Sequence, residues 1–444
     1  MENLRQRQEQ LTNLVAELLD EARRQGASAA EAGVSLDAGL TVTVRMGEVE
    51  TLEHTRDQGL GVTLYFGQRK GSASTSDLGP SAVQETVRAA SLIARHTQED
   101  PYAGLAPADR MARDLPDLDL YHPWDLPVEQ AIQMALECEN QGRHLDPRIC
   151  NSEGATLGTQ SGLHVYANSH GFVGGYPSSW HSLSCAMLGS DGDSMQRDHW
   201  WTSARAAAEL ESPAEVGRQA ALRTLARLGA RRLPTQEAPV LFQADMAISL
   251  MRHLVNAIRG SALYREASFL LNQLDQTLFP DWVRIHEQPL LPRGANSSAF
   301  DSEGVATAPK DLVAGGVLRS YVLDSYAGRK LGMATTGNAG GVRNLFVEPG
   351  GLDRAGLLRE MGSGLLVTEL MGQGVNNVTG DYSRGAAGFW VENGEIAFPV
   401  EEITIAGNLK DLFRGLQAVG SDLEKRGSFH TGSWLIDHMT IAGD

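Results

Sequence analysis

The sequence predicts an α+β fold: antiparallel sheets with helices on one face, an N-terminal α/β layer and a strand-rich C-terminal domain. Three patterns carry this expectation. Leu11, Leu14, Val15, Leu18, Leu19 and Ala22 recur at helical spacing, whereas Leu40, Val42, Val44 and Met46, then Leu60, Val62, Leu64 and Phe66, alternate at the two-residue period of a half-buried strand. Near the C-terminus, Asn393-Gly394 sits between two apolar runs, the strongest short hairpin signal because both central residues of a type I′ turn need positive φ.

In chain order, residues 5 to 25 read as an amphipathic helix ending near Gly26, followed by the two strands and a helix at 81 to 95, which makes 1–98 an N-terminal unit. Residues 99–127 hold five prolines and many acids with little periodicity, the composition of a linker. A central α+β region then spans 128–230, with helices at 128 to 140 and 213 to 229 around a run of strands from 150 to 202. After the proline-bearing RRLPTQEAP, a C-terminal domain covers 240–444, strand-rich except for helices at 245 to 259, 353 to 361 and 409 to 416. Its hairpin is expected to place Val391 opposite Ile396 and Phe389 opposite Phe398, with Trp390 and Ala397 on the other side. The segment between Gly372 and Gly388 offers Asn376, Asn377, Thr379, Asp381, Tyr382, Ser383 and Arg384 among glycines. Either its side chains cap its own backbone or they contact a ligand.

Composition excludes several classes. With 38 basic against 55 acidic residues the formal charge is −17, and no basic surface suited to nucleic acid emerges; the short patch Arg227, Arg231, Arg232 fits a helix end. Cys138, Cys150 and Cys185 are too few for a disulfide framework, which fits a cytoplasmic location. The charged opening lacks a secretory apolar core, and no run approaches the roughly 20 apolar residues needed to span a bilayer. Neither export nor membrane insertion is expected.

Candidate chemistry is sparse. The closest histidine pair, His164 and His170, is six residues apart on a strand, the wrong spacing for helical zinc ligands. Gly372-x-Gly374 would need glycine at 377 for a dinucleotide fingerprint, and Asn377 stands there; no G-x-S-x-G elbow exists. Cys185 falls in an apolar alternation, as a core thiol does. Asp301 and Glu303 either share a strand face as acid and base or lie in a solvated turn before Gly304. The residues alone assign no catalytic group.

Several long blocks nevertheless resemble one family. VTELMGQGVNNVTGDYSRGAAGFWVENGEIAFPVEEITIAGNL, AFDSEGVAT, NSHGFVGGY and RHLVNAIRGSALYREASFLL, in that fold context from about residue 30 to the end, are similar to the TldD/PmbA metalloprotease family. The resemblance implies a cytoplasmic zinc protease built from TldD-type and PmbA (TldE)-type subunits, acting on unfolded peptides and leader peptides; an older label for the family is modulator of DNA gyrase. In the TldD-type subunit a helix carries His-Glu-x-x-x-His and a C-terminal cysteine completes the zinc site. Aligned on that motif, this chain has Met251, Arg252 and Asn256, and its tail RGSFHTGSWLIDHMTIAGD has no cysteine. A thioether, a guanidinium and an amide do not make a zinc hydrolase site. Periodicity agrees, since Ala247, Ile248, Met251, Leu254, Val255 and Ile258 form one apolar stripe opposite Ser249, Arg252, Asn256 and Arg259, with His253 beside the polar stripe as a surface hydrogen-bonding residue. The implied role is a PmbA-type subunit with no metal of its own, zinc being expected in a TldD-type partner. Asn376, Asn377, Asp381, Asp301 and Glu303 are the peptide-binding candidates. A stand-alone peptide-binding or adaptor protein is the alternative, and a homodimer of the isolated chain stays open.

Overall fold

A computed structural model describes residues 2–443. The first half contains α1 (Glu2–Arg24), β1 (Ala29–Arg45), β2 (Glu48–Phe66), β3 (Arg69–Thr75), α2 (Pro80–His96), α3 (Val128–Arg143), β4 (Ile149–Asn168), β5 (Val173–Asp191), β6 (Ser194–Ala204) and α4 (Pro213–Ala226). Its six strands form one antiparallel sheet in the order β3-β2-β1-β4-β5-β6. The segments on either side of residues 99–127 therefore contribute three strands each to a single sheet, joined where β1 pairs β4 from Glu31↔Asn168 to Val44↔Ala155.

All four helices cover one face of this sheet. Leu11, Val15 and Leu18 of α1 and Val83 and Val87 of α2 pack on Val34, Val62 and Val165, while Ala131, Ala135, Val216 and Ala220 of α3 and α4 pack on Val42, Leu157 and Leu183. Small residues let α3 and α4 cross closely: a Cβ on Gly217 would lie 1.9 Å from the Cys138 carbonyl oxygen. Cys138 and Cys185 are buried in this layer, and their proximity together with burial pushes the Cys138 thiol pKa up, as for inert core thiols.

The proline-rich segment after α2 is bound along much of its length. Arg329 donates to the carbonyls of Tyr102 (2.6 Å), Gly104 (2.9 Å) and Leu105 (3.1 Å), and Tyr326 Oη donates to Asp100 (2.8 Å). Further on, the Ala112 amide donates to Gly304 O and the Ala306 amide to Arg110 O. Met111, Tyr166, Phe172, Phe300 and Val305 close the contact between the halves.

The second half holds β7 (Gln236–Phe242), α5 (Ala244–Ala257), α6 (Gly260–Leu263), β8 (Ile285–Glu287), β9 (Lys310–Ala314), β10 (Val317–Leu318), α7 (Ser325–Leu331), β11 (Leu345–Val347), α8 (Arg354–Met361), β12 (Gly364–Met371), β13 (Asp381–Glu392), β14 (Glu395–Asn408), α9 (Leu409–Arg414), β15 (Leu416–Val419), β16 (Phe429–His430) and β17 (Trp434–Ala442). One sheet runs β10-β9-β8-β11-β16; the other runs β14-β13-β12-β7-β17-β15 and closes on itself through β14–β17 into a small barrel. The fold class is the expected α+β. The second-half sheets are mixed, however, since β7–β12 and β11–β16 are parallel. No helix among the described residues is long and apolar enough to cross a membrane.

The β13–β14 turn has φ 53° at Asn393 and 79° at Gly394, as a type I′ turn requires. Val391 faces Ile396 as expected, but a bulge at Ala397 then sets Trp390 opposite Phe398 and Phe389 opposite Pro399. An extra residue in one strand shifts every later pair, and alternation alone carries no sign of it.

Candidate functional site

Helix α5 starts after Gln243 and buries the apolar stripe of its sequence in the core of the second half. Met251 has 0% exposure and packs with Phe242, Leu250 and Leu254. Arg252 and Asn256 are exposed, with the Arg252 guanidinium 5.6 Å over the Phe429 ring. A buried thioether flanked by a guanidinium does not suit a zinc ion, which needs imidazole, carboxylate or thiolate donors. Among the described residues no group of three or more His, Cys, Asp or Glu side chains is placed to hold a metal ion.

His253 departs from its expected surface role. Its ring meets Tyr382 of β13 edge to face at 6.0 Å, and its Nε2 is buried without a hydrogen-bond partner. Burial, reinforced by the Arg384 charge, holds its pKa down to about 4, so the imidazole is neutral at physiological pH. Tyr382, 1% exposed, also leaves its hydroxyl unpartnered, with Arg384 and Ser249 as polar neighbours; burial pushes its pKa up. Four polar side chains thus converge from α5 and β13, more than 120 residues apart in sequence, which no local motif announces. A second set nearby in the fold stacks His286, Phe346 and His430, with ring centroids 5.4 and 4.3 Å apart.

Asp301 and Glu303 lie in a turn, not on a strand; Asp301 is buried and Glu303 half-buried, while Ser302 between them is exposed. Asp301 is 1% exposed; its Oδ1 accepts from the amides of Glu303 (2.9 Å) and Val305 (3.0 Å), and Oδ2 from Ala339 (2.9 Å). These bonds favour the carboxylate, yet burial outweighs them and raises its pKa. Glu303 accepts from the Ser325 amide (2.9 Å), and burial raises its pKa to about 7. Asp301 shapes the turn, and Glu303 is the member whose pKa is carried up to about 7.

The loop before β13 is held by its own polar groups. Asn376 Oδ1 accepts from the amides of Val378 (2.9 Å) and Thr379 (3.4 Å), and Asn377 Nδ2 donates to the Ala267 carbonyl (3.0 Å). Asp381 accepts from Thr379 Oγ1 (2.6 Å) and Asn408 Nδ2 (3.2 Å). Asn376 and Asp381 remain exposed. The structure does not bring this loop's carboxamides together with Asp301 and Glu303 as partners in any hydrogen bond.

A helix-covered antiparallel sheet is followed by a second half built on a small barrel in whose core α5 packs, and three matching family models cover the two: the first two models share the single sheet and the third covers the second half. The models are PmbA/TldA metallopeptidase domain 1 over residues 30–94, the central domain over 121–228 and the C-terminal domain over 235–443. The chain belongs to the PmbA/TldD metallopeptidase family. It is 49% identical over 414 residues to Metalloprotease PmbA of Escherichia coli O157:H7, covering 93% of this chain and 92% of that one, and 47% identical over 444 residues to a Metalloprotease PmbA homolog of Haemophilus influenzae, covering 99% and 98%. A Bacteroides thetaiotaomicron protein described as a candidate modulator of DNA gyrase superposes with a TM-score of 0.93 at 28% identity, over 97% of this chain and 98% of that one. TldE from Thermococcus kodakarensis shares the fold, with a TM-score of 0.85 at 18% identity over 97% and 100%.

Proposed function

We propose that this chain is a TldE-type subunit of a two-subunit zinc protease, carrying no metal itself and shaping the cleft in which a TldD-type partner cleaves unfolded peptides and trims leader peptides. The observation that carries the proposal is the state of α5: the residue aligned with the first zinc ligand is Met251, sealed in the core, and the next is the cation Arg252. A neutral His253 and an unpartnered Tyr382 hydroxyl beside it leave polar groups around the helix without supplying a ligand triad. Zinc would enter through the partner's residues, so every hydrolytic step lies outside this chain.

Metal analysis of the purified chain tests this directly, with no stoichiometric zinc expected. Mixing it with a TldD-type subunit from the same cell should give a stable complex whose cleavage of an unstructured peptide exceeds that of either subunit and is abolished by a chelator. One tightly bound zinc per isolated chain, or cleavage that needs no partner, overturns the assignment.

A further inference from the structure

A pocket of about 400 Å³ opens where α4, the start of α8 and the β13–β14 hairpin meet, within the size range of small-ligand sites. Leu222, Phe389, Ile396, Phe398 and Pro399 give it an apolar wall. Three charged residues line it: Asp198, Arg223 and Arg354. Asp198 is already engaged, with Arg223 Nε at 3.2 Å and Arg227 Nη1 at 3.6 Å. Arg354 is not. Among the described residues no group hydrogen-bonds or ion-pairs with its guanidinium, and of the two acids that act on it through space, Asp422 and Asp245, the stronger, Asp422, is held by the Ser433 amide (3.0 Å) and hydroxyl (2.6 Å). Arg354 is half-buried, and burial, reinforced by the like charge of Arg223, lowers its guanidinium pKa against the opposing pull of Asp422 and Asp245.

The polar lining contains a second unsatisfied group. Thr368 is 6% exposed and its hydroxyl has no partner. It is the extra residue of a bulge in β12, between Val367 and Glu369, and the Ala397 bulge of β14 borders the same pocket. Bulges re-aim side chains and free backbone groups, and two of them meet here. Beyond Ala397, the Arg231 amide pairs with Pro399 and the Glu401 amide with Arg231, but from Glu395 to Phe398 the outer edge of β14 has no strand partner among the described residues.

We propose that this pocket binds the free C-terminus of a peptide ending in an apolar residue: the carboxylate on Arg354 and the Thr368 hydroxyl, the terminal side chain against Phe389, Ile396 and Phe398, and the preceding backbone along the open edge of β14. A carboxylate matches an unpaired guanidinium by charge and by bidentate geometry, and an open strand edge adds an extended chain through main-chain bonds. The edge is what favours a peptide over a fatty acid, which shares the carboxylate and the apolar body but has no amides to pair. The site is a property of this chain alone and does not rest on its assignment to a two-subunit protease.

Calorimetry on the full chain with an N-acetylated hexapeptide ending in leucine, as free acid and as C-terminal amide, tests it. The acid should bind at least about tenfold tighter than the amide, the size expected of a buried charge-assisted contact. Arg354→Gln should erase that preference and Thr368→Val should weaken the acid alone, with circular dichroism showing both folded. Should Arg354→Gln fail to fold, Arg354→Lys, which keeps the charge but loses the two-pronged pairing, should narrow the preference for acid over amide. Equal binding of acid and amide, no binding of either, discrimination that survives the folded variants, or octanoate binding as tightly as the peptide would each overturn the proposal.

Discussion

At the residue scale, Glu303 ties stability to pH. In the unfolded chain its carboxyl titrates near its ordinary 4.5, and in the fold near 7, so between these values only the folded chain keeps the proton. Its stabilising contribution is complete below pH 4.5, falls as pH rises and is gone above 7. Glu303→Gln retains an acceptor for the Ser325 amide without the charge. At pH 8 it should be more stable than the parent by about 2 kcal/mol after discounting for partial exposure, with little difference at pH 4.5, as urea titrations at the two pH values would reveal. His253 acts in the opposite sense, its contribution being present above pH 6.5 and lost as pH falls through about 4, so the difference between variant and parent is the informative quantity. The carboxamides of Asn376 and Asn377 have structural work, so Asn376→Ala with Asn377→Ala should lower stability by about 1–2 kcal/mol while leaving turnover per folded molecule intact in the proposed two-subunit protease. Unchanged melting with lost turnover would instead return these amides to the peptide cleft.

Helix α5 shows at the element scale how much a periodic sequence reveals. Its apolar stripe was legible because helical spacing fixes which residues share a face, and Met251 lies where the stripe puts it. Met251→Ala should therefore cost about 2–4 kcal/mol through the cavity it leaves, Asn256→Ala under about 0.5 kcal/mol, and neither should alter metal content; thermal melts and metal analysis distinguish them. The β13–β14 turn was equally legible, since Asn-Gly names its own backbone conformation. The register of the strand beyond that turn was not. The Ala397 and Thr368 bulges have no residue signature, and the pocket they border gathers Arg223, Arg354 and Phe398 from three separated stretches. His253 read as a surface residue for the same reason: its neighbour Tyr382 arrives from another element. Asp301 and Glu303 were visible as an acidic pair, but the backbone amides that occupy Asp301 come partly from Ala339, beyond any local window.

For the whole molecule, composition and periodicity carried the α+β class, and the missing information was which distant strands pair. The proline-rich stretch at 99–127 has a linker's composition, yet Arg329 grips its carbonyls at Tyr102, Gly104 and Leu105. Arg329→Ala should release that grip, raising hydrogen exchange across residues 100–106 and lowering stability by about 2 kcal/mol; unchanged exchange there would show that Tyr326 and the strand-like contacts at Met111 hold the segment alone.

The β1–β4 pairing has a consequence for synthesis on the ribosome. When β1 and β2 emerge they can zip into a hairpin at once, but the other side of β1, from Glu31 to Val44, waits for a strand that ends at Asn168. At roughly 5–20 residues per second that interval lasts about 6–25 s. For that time a nascent chain presents a long unpaired strand edge rich in valine and leucine, the kind of surface that recruits other nascent chains. Slow translation through residues 100–168, or a shortage of chaperone, should therefore cost this protein yield before it costs the finished fold any stability.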